Sequence, residues 1–192
     1  MDANYPWTTA TTSSTDLSYP IGKFAGTLDA TTVVDPDILI EAVAAIAAAP
    51  ERYRSAVAGL DDRQLDTPYR PNGWTVRQVV HHLADSHANA YIRFRLAVTE
   101  DSPVIKPYDQ AKWAELPDAK TLPAGVSLGL LDGLHERWAA LLRSFSGADF
   151  ARTLQHPELG VLRLDQYVAM YAWHSRHHYA HIAGLRERMG WK

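Results

Sequence analysis

Apolar residues recur at helical spacing in four long stretches of this chain, separated by segments rich in proline, glycine and short polar residues. Pro36 follows Asp35 as a first-turn proline, and Ile38 to Ala49 continue as an alanine-rich helix. Pro50 interrupts that pattern before Glu51 to Leu60 resume it, so the first helix is expected to kink or break there. Tyr69 to Gly73 reads as a turn leading to Trp74 and a second helix that ends near Thr99. Between Asp101 and Pro123 lie four of the eleven prolines, which predicts an irregular crossover of the kind that often carries function. Leu128 to Phe145 is a third helix, with Leu131, Leu134, Trp138, Leu141 and Leu142 at core spacing. Arg152 to Leu164 reads as a loop or short hairpin, and a final helix runs from Leu164 to Met189. Residues 1–16, rich in Thr, Ser and Ala, are expected to form an irregular and partly disordered N-terminal extension to one domain over 17–192. The fold class expected is all-α, a four-helix bundle with one long crossover.

The last helix carries the strongest chemical signal. Tyr167, Tyr171, His174, His178, His181 and Leu185 follow one another at intervals of 4, 3, 4, 3 and 4, the inward seam of a bundle helix. Burying three adjacent imidazoles requires many hydrogen-bond partners or an ion. Both His174 with His178 and His177 with His181 are four apart, so either pair could grip one metal. A third ligand has to come from elsewhere, and the second helix offers His81, His82 and His87.

A helical wheel separates those three. His82 shares a face with Gln78, Ser86, Asn89 and Arg93, a polar stripe that suggests a substrate pocket, which Tyr171 and His181 would complete from the last helix. His81 points toward Arg77 and Arg95 and reads as solvent-facing, whereas His87 lies on the apolar side as an ordinary core histidine. His82 is therefore the expected third ligand. Trp74 and Trp173 flank the histidines and read mainly as packing.

Composition narrows the chemistry further. There is no cysteine, so a metal must sit on nitrogen and oxygen, and any thiol must come from a small molecule. The net charge of −3 and the scattered basic residues give no footprint for nucleic acid. No apolar run approaches a membrane span and no secretory signal is visible, which leads us to expect a soluble, cytoplasmic protein. Imidazole ligands alone suit zinc, nickel, copper, iron and cobalt.

Three stretches, Tyr19 to Phe24, Gly73 to His87 and Tyr171 to His181, resemble the DinB superfamily and within it the YfiT-like branch of metal-dependent hydrolases. Trp74 stands eight residues before His82, as in that family's first motif, and the resemblance extends from about residue 17 to the C-terminus. It implies a four-helix bundle, a zinc or nickel ion on His82, His174 and His178, one metal per chain, and a homodimer. The superfamily also includes transferases and isomerases that use low-molecular-weight thiols such as bacillithiol or mycothiol.

Three nitrogen ligands leave a coordination position open, the mark of a catalytic site. One reading is a hydrolase whose metal activates water on a small-molecule substrate. A second is an S-transferase whose metal activates a thiol. It gains from the lack of an HExxH-type glutamate, since Asp85 is the sole nearby carboxylate to nominate as a base. A non-catalytic, metal-binding stress-response protein is the third.

Overall fold

The computed structural model describes residues 16–192. The extension expected over residues 1–16 therefore lies, but for Asp16, outside the described residues. Four long helices form the body: α1 (Pro36–Val57), α3 (Val76–Thr99), α6 (Ala124–Arg143) and α8 (Leu164–Met189). Short helices α2 (Asp62–Leu65), α4 (Gln110–Ala114), α5 (Pro117–Thr121) and α7 (Gly147–Phe150) sit in the connections, with a hairpin of β1 (Thr153–His156) and β2 (Gly160–Arg163). Helix α1 packs against α6 and α8, and α3 against the same two, so α1 and α3 stand diagonally across the bundle.

Local chemistry fixes the ends of these helices. Asp35 caps α1 by accepting from the Asp37 amide, with Pro36 at the first position. Thr75 and Gln78 form a capping box on α3, and α8 stops at Gly190 with a positive φ of 65°.

Of the kink or break expected at Pro50, the break does not occur, and α1 runs continuously through that residue. An interior proline costs a helix about 3 kcal/mol, in part because it has no N–H for the carbonyl four residues back. That carbonyl belongs to Ile46, and it accepts instead from His135 of α6 at 2.6 Å. The crossover also differs from the irregular loop expected, because α4 and α5 fold within it and lie against α3.

The core divides into two apolar halves. Ile46, Phe94, Trp138, Leu164 and Tyr167 anchor one, and Tyr53, Val80, Leu83, Leu131 and Ile182 anchor the other. Between them, at corresponding heights of three helices, lie His87 of α3, His135 of α6 and the histidines of α8. A polar layer in the middle of a bundle is costly unless its hydrogen bonds are satisfied or an ion is held there.

Candidate metal centre

Helix α8 turns His174 and His178 toward His82, the seventh residue of α3. The ligand nitrogens of His82, His174 and His178 lie within 4.8 Å of one another, and Nε2 of His82 is 3.3 Å from Nε2 of His174. Two nitrogens at tetrahedral angles on one zinc, each 2.0–2.1 Å from it, stand roughly 3.3–3.4 Å apart. The donor set therefore fits a zinc-sized divalent ion. A second group, His177, His178 and His181, meets the same 4.8 Å limit and shares His178 with the first.

Burial keeps these rings uncharged. It lowers the pKa of His82 to about 4 and those of His174 and His178 well below the ordinary value, with neighbouring imidazoles adding to the effect. His177 falls to about 4 and His181 to about 3, again chiefly through burial. A neutral imidazole offers the lone pair that a metal requires.

Other histidines extend this cluster. His87, read from the sequence as an ordinary core residue, is fully buried and places Nε2 3.3 Å from His174 Nδ1 and Nδ1 2.8 Å from His135 Nε2. On the other side, His181 Nδ1 is 3.3 Å from His178 Nδ1, and its Nε2 is 3.3 Å from the Ser18 carbonyl. Tyr69 stacks on the His181 ring with centroids 3.9 Å apart, and Trp74 packs on His82 at 4.7 Å.

His81 corrects the wheel reading. It is buried, with Nδ1 2.7 Å from the Ser127 hydroxyl and Nε2 3.1 Å from the Leu122 carbonyl, because the crossover and α6 cover the face that an isolated helix would expose.

Two cavities meet at the centre. One of about 750 Å³ is lined by Ser86, Arg93, Tyr108, His156, Tyr171 and His174. The other, of about 430 Å³, is lined by Tyr19, Tyr69, Trp74, His177, His178 and His181, with Gln110, Trp173 and His174 common to both. Of the residues predicted to form a substrate pocket, Ser86, Arg93 and Tyr171 thus face the first cavity and His181 the second.

Gln78 and Asn89 line neither cavity. Gln78 caps α3 and donates to the Ala114 carbonyl at 2.8 Å, and Asn89 donates to the Asp85 carbonyl at 2.9 Å. The half-buried Asp85 makes no hydrogen bond to the histidines, and burial, with a contribution from Asp118, raises its pKa to about 6. Sequence reasoning missed Tyr108, His135 and His156, which reach the site from the crossover, α6 and the hairpin, with no periodicity linking them to α8.

Arg93 is the buried cation of the larger cavity. It donates to the Tyr167 hydroxyl and to the Lys106 carbonyl, each at 2.9 Å, and no carboxylate pairs with it among the described residues. Asp109 and Glu158 also line this cavity but are exposed, and Asp109 pairs with Lys112.

The DinB superfamily profile matches residues 45–182. The chain belongs to the DinB superfamily. Among its DinB relatives is a Bacillus mycoides protein named "Putative metal-dependent hydrolase", 53% identical over 178 residues that cover 92% of this chain and 99% of that one. A Bacillus cereus protein of the same name is 51% identical over 176 residues, with the same coverage. The solved structure of YfiT from Bacillus subtilis is described as a probable metal-dependent hydrolase with an unusual four-helix bundle topology. It matches this DinB chain with a TM-score of 0.87 at 46% identity, over 92% of this chain and 99% of that one.

Proposed function

We propose that this DinB protein is a metal-dependent hydrolase that holds one zinc or nickel ion on His82, His174 and His178. The 3.3 Å approach of the His82 and His174 Nε2 atoms carries this reading, because it brings ligands from two helices to the spacing one ion demands. The names of the relatives support the reaction class. A bound ion supplies Lewis-acid charge with a coordination position open for chemistry.

The chain's own residues do the rest. Ser86, Tyr108 and Tyr171 surround the space beside His174, and Tyr108, raised to about 12 by burial, stays a neutral hydrogen-bond donor. Arg93 gives that space a cation on a planar fork, which suits a substrate bearing a carboxylate.

A second reading is favoured by one observation: no carboxylate hydrogen-bonds to the three ligand histidines among the described residues. A thiol transferase relies on its metal to prepare the nucleophile, so a low-molecular-weight thiol would occupy the same space. We further read the protein as a cytoplasmic homodimer, supported for the dimer by Val126 and Leu130, which stand exposed one turn apart on α6.

The deciding experiment is elemental analysis of tag-free protein beside His82→Ala and His178→Ala. About one zinc or nickel per chain, lost in both variants, is expected. Metal-free wild type after reconstitution would reject the reading. Ester cleavage assayed with and without added thiol then separates hydrolysis from transfer.

A further inference from the structure

The geometry points to two buried relays, each anchored on a backbone carbonyl, that fix which ring nitrogen His174 and His178 present to the metal. The inference rests on the metal reading above and assigns His87, His135 and His181 as positioning residues.

The longer relay follows from donor and acceptor rules. A carbonyl oxygen only accepts, so the His135 nitrogen 2.6 Å from the Ile46 oxygen, Nδ1, carries a proton. A neutral imidazole has one N–H, which leaves His135 Nε2 to accept, and the donor 2.8 Å away is His87 Nδ1. His87 Nε2 in turn accepts from His174 Nδ1 at 3.3 Å. His174 is left with its lone pair on Nε2, the nitrogen that faces His82. Working from the metal inward gives the same result. An ion on His174 Nε2 requires the proton on Nδ1, and each partner is then forced in turn until the last N–H reaches Ile46. The opposite ordering would point a lone pair at the Ile46 carbonyl.

Pro50 makes the anchor available. In an uninterrupted helix the Ile46 carbonyl would accept from the amide of residue 50, and proline has none. The residue that costs α1 a hydrogen bond therefore frees the acceptor on which the relay ends.

The shorter relay serves the other α8 ligand. The Ser18 carbonyl takes the proton of His181 Nε2, so His181 Nδ1 accepts from His178 Nδ1, each across 3.3 Å. His178 Nε2 keeps the lone pair for the ion. This accounts for the closeness of His178 and His181, because His178 Nδ1 is already committed to His181.

Neutral imidazole in water favours the proton on Nε2, so both relays hold their ligands in the less common tautomer. They also fix the ring planes. Metal binding then meets rings already oriented, which is how hydrogen-bond partners of ligand histidines raise affinity.

The test uses the full chain labelled with nitrogen-15 in its histidines. Long-range nitrogen–proton spectra of the metal-free protein at neutral pH distinguish protonated from bare ring nitrogens. The expected pattern is Nδ1–H on His87, His135, His174 and His178, and Nε2–H on His181. Nε2–H on His87 or His135 overturns the longer relay, and Nδ1–H on His181 overturns the shorter one, whether or not metal binds.

Zinc affinity, read by competition with a chelator, tests the positioning role. His135→Leu is expected to weaken zinc binding by about 10- to 100-fold. His135→Gln, whose amide can accept from His87 and donate to Ile46, is expected to restore most of it. Unchanged affinity in a folded His135→Leu protein overturns the role. Absence of zinc binding in the wild type overturns the metal reading and the positioning role with it, while the tautomer spectra still decide whether the relays exist.

Discussion

Arg93 Nη1 donates to the Tyr167 hydroxyl at 2.9 Å, and burial holds that phenol well above its usual pKa, so the guanidinium keeps its full charge beside a neutral partner. A buried cation with neutral neighbours has electrostatic capacity left for a ligand. Arg93→Met is expected to raise KM for a carboxylate-bearing ester by about tenfold or more, with a smaller change in kcat, and to leave a neutral ester of similar size little affected. Arg93→Lys should recover only part of the loss, since it lacks the planar fork. Steady-state kinetics on the two esters decide it. Equal losses on both would remove Arg93 from substrate recognition.

The four-helix architecture and the inward histidine stripe of α8 were legible because both are periodicities within single helices. His82 emerged the same way, from the polar face of α3. What the wheel could not supply was the cover over each face. His81 looked exposed until the Leu122 carbonyl and Ser127 closed over it, and His87 looked inert because its partner His135 stands 48 positions away on a different helix. Pro50 read as a kink or break in α1, since the sequence cannot reveal that a histidine from α6 occupies the carbonyl it frees. The DinB resemblance was written in short motifs and is borne out by the family match.

Arg77 ties the crossover and α2 to α3. Its buried guanidinium reaches Asp66 at 2.7 Å, Asp62 at 2.9 Å and the Leu122 carbonyl at 3.0 Å, and the Asp66 hydrogen bond leads the raising of its pKa. The carboxylates are largely exposed, so each pair alone contributes little. Arg77→Ala removes all three contacts and the buried stem, with an expected loss of about 2 kcal/mol, whereas Asp62→Asn should cost less than about 1 kcal/mol. Urea unfolding of the two variants measures the difference.

Gln166 anchors the segment that precedes α1. Its buried amide accepts from the Asp29 amide at 2.7 Å and donates to the Thr32 carbonyl at 2.5 Å. Gln166→Leu leaves those backbone groups without their partner, a local cost of about 1–3 kcal/mol. Hydrogen exchange should accelerate at Asp29 and its neighbours while the α3 core stays protected. Uniform acceleration across both would mean that Gln166 supports the whole bundle rather than this segment.

His135 should make stability depend on pH in one direction. Burial lowers its pKa from 6.5 to about 4, with the Ile46 and Asp132 contributions opposing the shift. Between those values the unfolded chain binds a proton that the folded chain refuses, so stability falls as pH falls and is complete above about 6.5. The full shift corresponds to roughly 3 kcal/mol for this one side chain. Other buried histidines act in the same direction, so the wild type alone does not isolate the effect. His135→Gln removes a single titrating group and should flatten the stability curve of metal-free protein by up to one proton between about pH 6.5 and 4. Urea unfolding across that range, with both proteins stripped of metal, gives the slopes. Identical slopes would mean that His135 takes up its proton in the folded chain near pH 6.5, as it does in the unfolded one, and that burial does not hold the ring neutral below that pH.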